Sequence, residues 1–416
     1  MKISESKKFK WFSKKWDENF IVALPIINAL ASVLTNYFPD GVMNPGQIRV
    51  ILVLSFGLYF LTSKFSYDNK VTKLVISYIF YIFFLTILSD YFTTSFNIFI
   101  KFLASTIFIF FGIHYIKNDE MLKRVSLSIL VMLGIFILNF TISNLFGLGL
   151  QSYRGVQNQL NFGSSGVNLA KQVTPILLMM PIIVKLFIKP INKKIIYLLI
   201  FGGVLFILFA FKRTPLFGLI ISYITIGLIL PNKSQTTKYA LIFVFISILL
   251  SPIYLNQVLD NFQAREKAIN LRDEENLEKQ ARYQEYNFSI NSWEKGDLGY
   301  KFFGTDIFAT HEALNLDRMM HSDYMALLSG SGIIGLFGFI LIYLYKIYYL
   351  WKKTILYKST FLIYSFAVGS ALVVNFLVMG VSGIIQAIEP RATALLFLGM
   401  LIGYKPNKSS NDSNSR

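Results

Sequence analysis

Apolar residues in this chain gather in long, nearly uncharged runs separated by short polar connections, and most runs approach the roughly 20 residues that an α-helix needs to cross a bilayer. Runs near 19–38, 47–63, 72–89, 97–116, 124–147, 168–188, 194–211, 214–230, 238–257, 324–350, 359–379 and 390–404 predict membrane spans, with ends placed to within a few residues. The expected fold is all-α: a polytopic integral membrane bundle of about twelve helices. One interval breaks the rhythm. The chain divides into a basic N-terminus (1–18), spans 1–9 (19–257), a large and partly helical polar loop (258–323), spans 10–12 (324–404) and a polar tail (405–416) whose composition reads as disordered.

Composition supports that class, with 54% hydrophobic residues and a mean hydropathy of +0.53. The formal net charge of +17 would suit a nucleic-acid partner, but its distribution argues for topology instead. Lys2, Lys7, Lys8, Lys10, Lys14 and Lys15 precede the first span, and the bias returns at alternate connections: Lys64, Lys70 and Lys73; Lys117, Lys123 and Arg124; Lys185, Lys189, Lys193 and Lys194; Lys233 and Lys238; Lys346, Lys352, Lys353 and Lys358; Lys405 and Lys408. The positive-inside rule places these connections and both termini in the cytoplasm. The large loop then falls outside, and between residues 258 and 320 twelve acidic residues outnumber eight basic ones. No small-residue cleavage site follows the first apolar run, so an uncleaved first span is expected. Without cysteine the chain has no disulfide, thiolate catalyst or cysteine metal ligand.

Most candidate polar chemistry lies in or beside the large loop. From Asp260 to Trp293 the pattern is helical, and Tyr283, Tyr286, Ile290 and Trp293 fall on one face. An amphipathic packing stripe is the favoured reading of that face, lying on the bundle or on lipid headgroups, with Arg282 beside it. Arg213, in Phe211-Lys212-Arg213-Thr214-Pro215, sits on the outer side against the positive-inside bias. It is open between a snorkelling interfacial residue and an anion site, since a guanidinium fork suits phosphate. Of the three histidines, His114 reads as structural, while His311 and His321 are external. His321 precedes a helix that Ser322 or Asp323 can cap, a setting that favours an anion. Gly330, Ser331, Gly332, Gly335 and Gly338 read as small residues for close helix packing. No spacing of histidines or carboxylates indicates a metal site, and the acidic run Asp273-Glu274-Glu275 reads as a solvated helix face.

These residues together resemble the superfamily of bacterial O-antigen polymerases (Wzy-type) and O-antigen ligases, which are membrane glycosyltransferases. Lys212-Arg213-Thr214-Pro215-Leu216-Phe217-Gly218 is similar to that family's arginine at a tight connection between spans. Ala281-Arg282-Tyr283 through Ser292-Trp293, then Phe303-Gly304-Thr305-Asp306, resembles its arginine-to-tryptophan segment and following glycine. His321-Ser322-Asp323-Tyr324, then Gly332-Ile333-Ile334-Gly335, resembles its loop-closing histidine and Gly-x-x-Gly span. Tyr153-Arg154-Gly155 through Asn168-Leu169-Ala170 is a weaker match, because the family's pattern carries Pro-Asn where this chain has Val167-Asn168.

The resemblance implies transfer of a glycan from a polyprenyl-diphosphate-linked oligosaccharide donor to a sugar hydroxyl, outside the cytoplasmic (inner) membrane of a bacterium, with no metal or other cofactor. It implies His321, Arg282 and Arg213 as catalytic residues, and Arg213, Arg282, Arg154, Tyr283, Trp293 and Asp323 as contacts to diphosphate or glycan. Arginines suit the negative charge that builds on a departing diphosphate, and an imidazole suits a general base. In a polymerase the acceptor is another lipid-linked repeat unit; in a ligase it is a lipid A core or a protein. The polymerase is preferred, which adds a chain-length-regulating co-polymerase as a partner class; no nucleic acid is expected. A flippase for lipid-linked sugars would place ionisable groups along a central cavity, whereas the candidates here sit on one side. A non-catalytic scaffold would leave the three as unrelated surface residues.

Overall fold

The structure, a computed structural model, describes residues 15–38, 43–149, 161–163, 166–187, 190–210, 212–230, 281–313, 320–385 and 387–405. Among these the regular elements are helical, with one isolated bridge between Gly149 and Gly163. Before the large loop come α1 (Trp16–Leu34), α2 (Pro45–Ser63), α3 (Lys70–Ile87), α4 (Phe92–Tyr115), α5 (Asp119–Phe146), α6 (Ala170–Leu186), α7 (Pro190–Phe209) and α8 (Arg213–Ile229). Within it lie α9 (Ala281–Lys295), α10 (Leu298–Phe303) and the single turn α11 (Thr310–Ala313). After it come α12 (Asp323–Tyr357), α13 (Thr360–Gly380) and α14 (Ile388–Gly403).

Seven of these helices, α1–α5, α12 and α13, are long and apolar enough to cross a membrane. α6, α7, α8 and α14 cover four more of the predicted apolar runs. The span predicted at 238–257 lies outside the described residues, as do the basic N-terminus through residue 14, residues 258–280 of the loop and the tail from residue 406.

Local sequence accounts for several helix boundaries. Before α2, the Asn44 side chain accepts from the Gln47 N–H and the Gln47 side chain from the Asn44 N–H, both at 3.0 Å. Pro45 opens the helix at a position whose N–H would have no intrahelical partner. Asn69 and Asn118 cap α3 and α5, accepting from Val71 and Met121. In the interior, α4 and α14 cross with backbones in contact. A Cβ on Gly399 or Gly403 would stand 2.3 Å from the carbonyl oxygen of Ile109 or Ile113. Such small residues matter in lipid, where close packing rather than the hydrophobic effect holds helices together.

Polar contacts sort the helix ends into two sets. At one end Asp17 pairs with Lys64, Arg124 lies 3.3 Å from Glu18, His114 Nε2 is 3.0 Å from the Ser66 carbonyl, the Tyr404 hydroxyl donates to Asp119 at 2.6 Å, and the Lys405 N–H donates to the Lys117 carbonyl at 3.2 Å. At the other, Arg49 pairs with Glu389 at 2.7 Å, Ser89 donates to Asp306 at 2.9 Å and Thr94 to Glu312 at 3.0 Å. The first set holds the connections rich in lysine and the second holds the large loop.

α12 is two helices meeting at Gly332, whose φ of 61° and ψ of −170° leave the helical region. The break exposes carbonyls that other elements take up: the Thr305 N–H donates to Ser329 O at 3.1 Å and the Tyr81 hydroxyl to Ser331 O at 2.8 Å. A Cβ on Gly332 would lie 2.3 Å from the Phe302 carbonyl carbon. The glycine-rich stretch thus seats α10 directly on a broken helix, in addition to the close packing read from its composition.

Candidate functional site

α9 grips the segment that leads into α12. Ser289 contacts the Met320 sulfur at 3.8 Å, Glu285 meets His321, and the Tyr286 hydroxyl donates to Ser322 Oγ at 3.4 Å. Glu285 is 2% exposed. Its Oε2 accepts the His321 backbone N–H at 3.0 Å, and its Oε1 lies 3.3 Å from His321 Nδ1. The His321 side chain remains 45% exposed. The buried face of α9 is therefore rotated from the predicted stripe: Glu285 and Ser289 point inward, whereas Ile290 is 38% exposed. The cause is the partner. α9 packs on a polar segment, so its inward face is chosen by hydrogen bonding rather than by apolar periodicity.

Beside His321 opens a cavity of about 300 Å³ between the loop and the bundle, lined by Phe308, His321, Asp323, Ser382, Gly383 and Ile385 among others. One wall is the connection between α13 and α14, and ionic side chains hold its backbone. Asp323 accepts the N–H groups of Ile384 and Ile385 at 2.9–3.2 Å. Lys171 donates to the carbonyls of Ser382 and Gly383 at 3.0 and 2.9 Å, and Arg391 to that of Ile385 at 2.8 Å. Buried charges are tolerable because oriented backbone dipoles satisfy them. These bonds hold the wall beside His321.

The sequence-predicted residues divide among these parts. His321 lines the cavity. Asp323 also lines it, with both oxygens engaged by backbone. Trp293 donates its indole N–H to the Lys301 carbonyl at 3.0 Å, bracing α9 against α10. Arg282 and Tyr283 lie in the first turn of α9, and their side chains are outside the described residues. On the backbone, Arg282 is three positions before Glu285 and so shares its side of the helix. Arg213 begins α8, and its side chain is likewise not described. Its neighbour Lys212 donates to Asn168 at 3.1 Å, which puts the start of α8 at the same end as Lys171 and the cavity wall. Arg154 lies outside the described residues. No group of three or more metal-ligating side chains occurs among the described residues.

Glu285, Lys171 and Arg391 escaped sequence reading. Glu285 sits in a helix crowded with charges, where an acidic residue reads as solvated. A search for cations one turn inside a span's outer end would have found Lys171 and Arg391, since such residues must find partners. No protein-family model and no curated protein matches the chain.

Proposed function

We propose that the protein is a metal-independent, inverting glycosyltransferase with twelve spans in the bacterial cytoplasmic membrane. It moves glycan from a polyprenyl diphosphate onto a sugar hydroxyl of a second lipid-linked repeat unit, as an O-antigen-type polymerase does. The lysine-rich end, which includes residues 15 and 405, faces the cytoplasm under the positive-inside rule, and the cavity end faces outward.

The observation that carries this reading is an exposed histidine, backed by a buried carboxylate, at a cavity where a hydrophilic loop meets an apolar bundle. A substrate with a lipid tail and a sugar head needs that boundary. In the reaction the acceptor oxygen attacks the anomeric carbon, the carbon–oxygen bond to diphosphate breaks with its electron pair leaving on the diphosphate, and the hydroxyl proton passes to His321. Nδ1 is turned to Glu285, so Nε2 is the nitrogen that takes it. Arg282 and Arg213, on elements at the same end, are assigned to the leaving diphosphate, where each positioned donor is typically worth a few kcal/mol.

The test supplies purified protein with a lipid-linked oligosaccharide in chelator and follows free polyprenyl diphosphate by mass spectrometry. Release is expected from the wild type and lost in Arg213→Lys and Arg282→Lys, since an ammonium cannot reproduce a bidentate fork. Wild-type release that appears only with added metal, or full activity in both variants, contradicts the proposal.

A further inference from the structure

We propose that Glu285 is a positioning residue that fixes the His321 imidazole in its Nδ1–H tautomer and so presents Nε2 as the basic nitrogen. This deepens the reading of His321 as the general base and rests on it.

Three observations carry the inference. Glu285 is 2% exposed on a helix of the polar loop, a costly place for a carboxylate unless it is bound by donors. Its two oxygens have separate duties: Oε2 accepts the His321 main-chain N–H at 3.0 Å, while Oε1 lies 3.3 Å from Nδ1 of the same residue. That second pair is within hydrogen-bond distance but is not aligned as a hydrogen bond, and a small ring rotation aligns it. The backbone bond places the carboxylate and the ring contact then reads the tautomer. An ionised carboxylate only accepts, so Nδ1 must be the nitrogen that carries hydrogen. The contacts of Ser289 with Met320 and of Tyr286 with Ser322 hold this register from both sides.

Among the described residues, the other charged groups near His321 have partners of their own. Asp323, the next carboxylate along the chain, is bound to the amides of Ile384 and Ile385. Lys171 is on the carbonyls of Ser382 and Gly383, and Arg391 is on that of Ile385. Tyr286 donates to Ser322. Among the described residues, Glu285 is thus the carboxylate placed to read the imidazole.

This arrangement makes one substitution unusually informative. In Glu285→Gln the main-chain N–H of His321 still demands an acceptor, so the amide oxygen must take the place of Oε2. The NH2 group is then forced toward Nδ1, which has to accept, and hydrogen moves to Nε2. The ring stays in place but its basic nitrogen faces the wrong way. A buried carboxylate that merely held the fold would not invert the tautomer.

The experiment is ¹⁵N NMR of histidine-labelled full-length protein in detergent, at a pH where the ring is neutral, with His114→Gln and His311→Gln used to assign the three side chains. Wild type is expected to show a protonated Nδ1 and an unprotonated Nε2 on His321, with the pattern exchanged in Glu285→Gln. Turnover of the lipid-linked donor should fall about 100-fold or more in that variant, the typical worth of a general base, with KM little changed. Glu285→Asp, which keeps an acceptor-only group, should restore the wild-type tautomer and part of the rate. An unchanged tautomer in Glu285→Gln overturns the inference even if the wild type transfers glycan. An exchanged tautomer in a protein that transfers no glycan upholds the pairing and removes the proposed function instead. If Glu285→Gln does not fold, the wild-type spectrum decides, because a His321 ring with hydrogen on Nε2 contradicts the inference directly.

Discussion

His321 differs from the chain's other histidines in what holds it. His114 is tied between the Ser66 and Phe110 carbonyls, and His311 lies 3.7 Å from Glu312 with its side chain 13% exposed. His321 combines an exposed ring with a buried anchor at a cavity. His321→Ala should therefore lose turnover by about 100-fold or more while keeping protein level and binding of the lipid-linked donor, because a base acts in the transition state. His311→Ala should change turnover only mildly. Steady-state kinetics beside equilibrium donor binding checks both, and equal losses in the two variants would show that the base is misassigned. His321 was legible in the sequence because it stands where the polar loop re-enters an apolar span. Its partner was not: contacts between α9 and residues 320–322 are set by tertiary packing, and nothing in the spacing of 36 positions between Glu285 and His321 announces them.

Among the elements, the broken helix α12 decides where the loop sits. An unbroken helix would keep the carbonyls of Ser329 and Ser331 for its own ladder and leave α10 without a seat. Gly332→Ala puts a side chain at a φ of 61° and a Cβ into the Phe302 backbone. Strain of this kind alone costs about 1–3 kcal/mol, and the steric clash adds to it. The expected outcome is a clearly lower unfolding midpoint in detergent, with faster proteolysis near α10. A wild-type midpoint would mean that the break does not hold the loop. The helices themselves were legible from apolar runs, since backbone hydrogen bonding in lipid leaves few alternatives. The break was less so. Glycine marks both close packing and a left-handed turn, and only the neighbouring backbone separates the two uses.

For the whole molecule, the proposed reaction requires the two ends to face different compartments. Asn291, on the exposed side of α9, and Lys352, exposed near the opposite end of α12, test this in a chain with no cysteine of its own. With any outer envelope made permeable, Asn291→Cys should react with an impermeant thiol reagent in intact cells, and Lys352→Cys only after lysis. The reverse pattern would place the cavity in the cytoplasm and end the external-site reading.

On the proposed reading, this bundle joins lipid-linked glycans to one another. The test supplies the purified protein in bilayers with a lipid-linked repeat unit of a single size, in chelator and with nothing else, and separates the products by length. A ladder of multiples of that unit is expected, absent in His321→Ala. Product that forms only when a lipid A core or a protein is supplied would replace polymerase with ligase, and no lengthening with any acceptor would contradict the account.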